Sequence, residues 1–247
     1  MIHTRRLGVP GAAPALLAHC FLGHSGTWVR LIEALETPLD ALAFDMPGHG
    51  RSPMPEDPGD FHAMVSGIVG ELVTGPSLLV GHSFGAASML RHALHHPDTV
   101  RGLVLIEPVY FLAARDEPEF APYQASEQPL RDAVMAGDLA RAARHFLALN
   151  PGSPQLEDLP EPVQALMAAQ MRLVVATTKG LFEDSGGLMQ PGVMAGFDKP
   201  VLLMRGSATA PIFHATVRAL ARMLPRAEVA VIEGAGDLPP AKSLTMM

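Results

Sequence analysis

Short apolar runs alternate with helix-length segments through the first hundred residues. Residues 14–19 (PALLAH), 41–44, 77–80 and Val100–Ile106 (VRGLVLI) are apolar stretches four to seven residues long, bounded by glycine, proline or polar residues, and they predict buried strands. Between them, residues 27–35, 59–72 and Phe84–His95 predict helices, the second weakened by Gly67 and Gly70. This βαβαβ alternation predicts a mostly parallel central sheet covered by helices. From residue 108 to 196 the pattern changes to alanine-rich helical segments, residues 130–149 and Glu161–Ala176 among them, with no convincing strand. The first pattern then resumes with a strand at 201–204, a helix at 212–224 and a strand at 228–232. The expected fold class is therefore α/β, with a core of residues 1–108 and 197–247 and an inserted helical cap of residues 109–196.

Composition narrows the function classes. Of the 247 residues, 48% are hydrophobic and 17% charged, which excludes a disordered chain. The 25 acidic residues outnumber 18 basic ones, and no dense basic run exists to neutralise phosphates, so nucleic acid is not the expected partner. The single cysteine, Cys20, forms no internal disulfide. A basic start (1–6) followed by a largely apolar stretch (7–22) raises the question of a signal peptide, but Pro10, Pro14 and His19 interrupt the apolar run. No stretch reaches the roughly 18 consecutive apolar residues of a membrane span. The expected location is the cytoplasm.

Three motifs carry chemistry. Gly81-His82-Ser83-Phe84-Gly85 follows a predicted strand and opens a predicted helix, the context in which G-x-S-x-G marks a nucleophile elbow rather than a capping turn. The glycines permit a tight reversal that leaves Ser83 Oγ exposed at a helix N-terminus. His19-Cys20-Phe21-Leu22-Gly23-His24 ends the first strong strand, where its loop can present a backbone N–H toward Ser83. Asp45-Met46-Pro47-Gly48-His49-Gly50-Arg51-Ser52 ends the next strand in a glycine- and proline-rich turn.

With these motifs in this order, the chain resembles the α/β-hydrolase fold family, in its serine-nucleophile esterase and lipase branch, from about residue 14 to 240. The resemblance implies that Ser83 attacks a carbonyl carbon and that the backbone N–H groups of Phe21 and Phe84 hold the oxyanion, each such donor typically worth about 3–4 kcal/mol. Trp28, following the oxyanion loop, and His24 on that loop are its candidate substrate contacts; both also have ordinary structural roles as a packing and a loop residue. The family's acid usually follows the strand at 201–204, where this chain reads Gly206-Ser207-Ala208-Thr209 without a carboxylate. Some members carry it one strand earlier, and here Glu107 ends an apolar strand, where an unpaired buried carboxylate would be costly.

The family's base histidine ends a Gly-x-Gly-His motif, whereas this chain reads Gly234-Ala235-Gly236-Asp237. An aspartate near its reference pKa of about 3.9 is a poor acceptor for a serine proton at neutral pH. His24 is the best substitute in sequence terms; His82 is expected to point away from Ser83, and His92, His95 and His96 to complement a helix C-terminus rather than bind a metal. After Pro240 too few residues remain for the helix that usually ends this fold, so a second copy of the chain is one way to cover that sheet face. Three readings stand: a hydrolase of small esters, lactones, thioesters or similar acyl compounds with atypical base chemistry; a non-catalytic ligand-binding member of the fold; and a cofactor-free lyase or cyclase using the same pocket. None of them calls for a metal or cofactor, and all take a small-molecule substrate or ligand.

Overall fold

In a computed structural model, residues 1–150 and 152–236 are described. Seven strands form one sheet: β1 (Thr4–Gly8), β2 (Ala13–Ala18), β3 (Leu39–Phe44), β4 (Ser77–His82), β5 (Val100–Ile106), β6 (Val201–Gly206) and β7 (Ala227–Ile232). Their order is β1-β3-β2-β4-β5-β6-β7; β1 runs antiparallel to β3 and the other neighbours are parallel. The chain steps from β2 outward to β3, then returns past β2 to β4. Strand order thus reverses between β2 and β4, the place where open α/β sheets form a crevice beyond the strands' carboxyl ends.

Period-2 alternation divides the strands between two cores. Leu16, Ala18, Leu79, Leu103, Leu105 and Leu203 join the larger cluster, packed with α2 (Phe61–Leu72), α3 (Phe84–His95) and α9 (Pro211–Met223). Ala15, Leu17, Val80, Ile106 and Met204 face the other way, with Trp28 and with Leu31 and Ile32 of α1 (Val29–Ala34). Between β5 and β6 lie five helices: α4 (Phe120–Ser126), α5 (Gln128–Met135), α6 (Leu139–Ala148), α7 (Glu161–Ala176) and α8 (Thr178–Leu181). Leu130, Ala133, Ala142, Ala143, Leu147, Met167 and Met171 give them a small core of their own. Gln170 on α7 donates from Nε2 to Gly48 O at 2.8 Å, tying these helices to the turn after β3, and Tyr110 Oη donates to Asp184 Oδ1 at 2.7 Å within the inserted segment.

Two elements differ from the pattern-based expectation. The helix expected over 130–149 is two helices, because Gly137 takes φ 77° and Asp138 then caps α6 through its carboxylate and the Arg141 N–H. β1 was not expected at all: TRRLG carries two arginines and sits at a sheet edge, where one face is wet. Within residues 1–22, where a signal peptide was in question, Thr4–Gly8 and Ala13–Ala18 are strands of this sheet. Among the described residues no helix is long and apolar enough to cross a membrane. Asp237 and the C-terminal stretch on which the final-helix expectation falls lie outside the described residues.

Candidate active site

The turn between β4 and α3 is strained by its own sequence. Ser83 has φ 55° and ψ −117°, a conformation that costs a non-glycine residue about 1–3 kcal/mol. The turn is that tight because its glycines admit backbone contact. A Cβ on Gly81 would lie 2.5 Å from Ala86 Cα, and one on Gly85 would lie 2.3 Å from Ala18 O. Ser83 N–H donates to Ile106 O at 2.8 Å, and Ala87 N–H to Ser83 O at 3.1 Å, so both ends of the residue are anchored. Its Oγ bonds to no described residue. Phe84 is the first residue of α3, so its N–H has no acceptor within the helix.

The loop after β2 is held beside this turn by aromatic packing and by one histidine. Phe21 lies 4.8 Å from Phe84, ring centroid to centroid, and 5.2 Å from His49. His19 Nδ1–H donates to Cys20 O at 2.7 Å while Nε2 accepts from Met46 N–H at 3.0 Å, which fixes the ring as one neutral tautomer. Burial above all, with His49 adding, pushes its pKa down to about 3. Both nitrogens are committed, so His19 is a strut and not a base.

In the turn after β3 the Asp45 carboxylate is fully engaged, while the buried Nε2 of His49 in the same turn has no partner among the described residues. Asp45 Oδ1 accepts from Ser25 N–H at 2.5 Å and Oδ2 from Arg51 N–H at 2.8 Å, while Ser52 Oγ donates to Asp45 O at 2.7 Å. Burial opposes ionisation of this carboxyl, but the Arg51 and Ser25 bonds together outweigh it and hold the pKa below the ordinary value.

Glu107, at the end of β5, is 2% exposed and also has positive φ, 46°. Its N–H donates to Met204 O at 2.8 Å, and its Oε1 accepts from Gly206 N–H at 3.1 Å, linking the ends of β5 and β6. A cavity of about 420 Å³ brings Ser83, Glu107, Cys20, Phe21 and His82 together beneath Phe146 of α6. Burial, reinforced by the charge of Glu107, pushes the Cys20 thiol up to about 11, so it is not a thiolate at neutral pH.

Of the histidines, His82 departs from expectation. It lines the same cavity as Ser83, its Nδ1 is buried with no partner among the described residues, and burial pushes its pKa down to about 4. His24 is exposed and spends Nδ1 accepting from Gly26 N–H at 3.1 Å, capping a short turn at Ser25–Trp28. Trp28 is fully buried in the second core. Neither of these two lines the cavity, each having been claimed by local structure. His92 Nε2 meets Thr99 Oγ1 and His95 Nε2 donates to Gly186 O. No group of three or more potential metal ligands occurs among the described residues.

Sequence reasoning missed a second recess, about 60 Å³, that shares Ser83 and runs between Phe84, Phe111, Phe146 and Leu181 to Tyr123 and Glu127. No spacing rule points to Glu127, because only the folding of α4 and α5 over the sheet brings it there.

The parallel sheet, the strand-order reversal and the strained Gly-His-Ser-Phe-Gly turn define the class of α/β-hydrolase-fold proteins. The chain belongs to the alpha/beta hydrolase family, whose model matches residues 15–242. It is 27% identical to a 2-(acetamidomethylene)succinate hydrolase of Mesorhizobium japonicum over 91% of this chain and 82% of that protein. A Mycobacterium tuberculosis lipase, LipV, is 39% identical over 45% of this chain and 43% of the lipase, so less than half of that relative's length is matched. A lipase structure from Acinetobacter baumannii superposes with TM-score 0.73 at 20% identity, covering 98% of this chain and 83% of that one. A thermophilic esterase from Thermogutta terrifontis gives 0.69 at 22%, covering 98% and 88%. These structural likenesses are of fold; the family membership is hydrolytic.

Proposed function

We propose that the protein hydrolyses a small ester, lactone, thioester or related acyl compound through Ser83. The observation that carries this reading is Ser83 itself: a serine held at φ 55° between two recesses, its Oγ bonded to no described residue, one strand from a buried glutamate. Strain is retained where surrounding structure over-determines it, and here the strain presents a hydroxyl to a cavity. Ser83 Oγ attacks the carbonyl carbon; the N–H groups of Phe84 and Phe21 receive the oxyanion; Glu107 occupies the acid position. Asp237 stands in sequence where the base belongs, and its weak basicity makes proton transfer the limiting step. Residual catalysis of roughly 10³–10⁴ over water is the scale that survives loss of a triad base elsewhere.

The relatives support a hydrolytic role: one acts on an acetamidomethylene succinate and another is a lipase. The second reading, a ligand-binding member without turnover, is favoured by the absence of any described histidine bonded to Ser83 Oγ. Initial rates on short aryl esters separate the two. The hydrolase reading expects turnover above buffer in the wild type, lost in Ser83→Ala and raised at least tenfold in Asp237→His. Turnover that persists in Ser83→Ala refutes the assigned nucleophile. A wild type at background, rescued by Asp237→His, supports the binding reading.

A further inference from the structure

The smaller recess has one carboxyl group among its described lining residues. Besides Ser83 it is lined mostly by apolar side chains, Phe84, Phe111, Phe146 and Leu181 among them, with the neutral polar Asn150 and Thr177, and by Glu127 just before α5. The Glu127 side chain is 16% exposed. Arg131, one turn along the helix, donates from Nη1 to Oε2 at 3.2 Å, and the Tyr123 hydroxyl also bonds to the carboxylate. A carboxylate offers about four lone-pair sites, so these two donors leave acceptor capacity unused. Desolvation, only partly offset by Arg131 and Tyr123, pushes the carboxyl up to about 7. An apolar wall would close such a recess at no electrostatic cost, whereas a buried carboxylate is expensive to keep.

We infer that Glu127 is a specificity-determining residue that selects acyl groups ending in a hydrogen-bond donor, such as a hydroxyl or an amine, over aliphatic ones of the same length. The inference rests on the reading of Ser83 as the acyl acceptor. Size supports it independently. A water-sized group takes roughly 10–15 Å³ of such space, so about 60 Å³ admits about four to six non-hydrogen atoms, an acyl chain of three or four carbons or its hydroxylated counterpart. Without its donor, a chain of that length would press a methyl group against a carboxylate and leave it unsolvated.

The test uses an isosteric pair, aryl butanoate and aryl 3-hydroxypropanoate, differing only in a terminal CH₃ or OH. Assayed at about pH 8.5, where the Glu127 carboxyl is ionised, wild-type protein should favour the hydroxylated ester in kcat/KM by about ten- to a hundredfold, the scale of one hydrogen bond to a charged group. Glu127→Leu should abolish or invert that ratio, and Glu127→Gln should keep part of it. Arg131 retains Gln124 O and Gln128 Oε1 in all three proteins, and thermal melting checks that they are folded. A fluorophosphonate adduct on Ser83 shows separately whether the nucleophile is active. Where Ser83 labels, an unchanged ratio in folded Glu127→Leu overturns the assignment of Glu127 alone. Where Ser83 does not label, dissociation constants of butanamide and 3-hydroxypropanamide from NMR titration replace the rates. The same preference, lost in Glu127→Leu, sustains the role of Glu127; equal constants overturn it.

Discussion

At the carboxyl end of the sheet, Asp45 and Ser83 use their side chains in opposite ways. After β3, Asp45 spends both carboxylate oxygens and its carbonyl on the Ser25 and Arg51 amides and the Ser52 hydroxyl. At the ends of β4 and β5, Ser83 and Glu107 instead hold strained backbone, φ 55° and 46°, and face a cavity. A polar cluster whose members satisfy one another is scaffold; one that leaves a hydroxyl and first-turn amides open at a cost in strain is a candidate for chemistry. Sequence context already marks Gly81–Gly85 as a nucleophile elbow, and the disposition of the hydrogen bonds adds why the Asp45 turn is scaffold.

The contrast can be broken at several points. The largest expected effect is on rate. In the Asp237→His background, which supplies a base for Glu107 to orient, Glu107→Gln keeps an acceptor for Gly206 N–H but loses the charge, so turnover should fall by about 10³–10⁴, roughly 4–5.5 kcal/mol, with stability nearly unchanged. Steady-state kinetics and urea denaturation on the same samples check both halves. Asp45→Ala should do the reverse, costing about 2–3 kcal/mol of unfolding free energy by stranding the buried Ser25 amide and the partly buried Arg51 amide. Gly50→Ala should act in the same direction, since its Cβ would fall 2.2 Å from Asp45 Oδ2.

A smaller effect sharpens the strain argument. Ser83→Gly relieves a conformation glycine adopts freely, and after the entropic cost of glycine it should stabilise the fold by about 1 kcal/mol while removing activity. A destabilised Ser83→Gly, measured by denaturation, would mean that the turn is unstrained. An effect confined to acid pH concerns His82, whose pKa falls from 6.5 to about 4 on folding. Because the unfolded chain takes up that proton first, stability is whole above pH 6.5 and is lost as pH falls toward 4. His82→Gln should flatten this acid-side loss by about 1 kcal/mol per pH unit, read from denaturation midpoints at pH 4.5 to 7.

The sheet was legible because its strands are short apolar runs bounded by glycine, proline or polar residues and alternate with helix-length segments; Phe84–His95, Val100–Ile106 and Glu161–Ala176 fall where the pattern sets them. What escaped was set by tertiary context. β1 has no apolar run because an edge strand needs none, and Glu127 reaches Ser83 only through the packing of the insertion. That Ser83, Phe84, Phe21 and Glu107 lie around the two recesses was legible because each sits beside a strand end that the pattern marks. His24 and Trp28 were adjacent in sequence to the oxyanion loop, but one caps a turn and the other fills the opposite face of the sheet. Proximity along the chain carries no direction, and direction is what a site requires.

The most direct test of Ser83 as an activated nucleophile is intact-mass spectrometry after incubation with an alkyl fluorophosphonate. The account predicts one adduct, localised to Ser83 by peptide mapping and absent from Ser83→Ala. A folded wild type that takes up no adduct, or one that carries it on another residue, would contradict it.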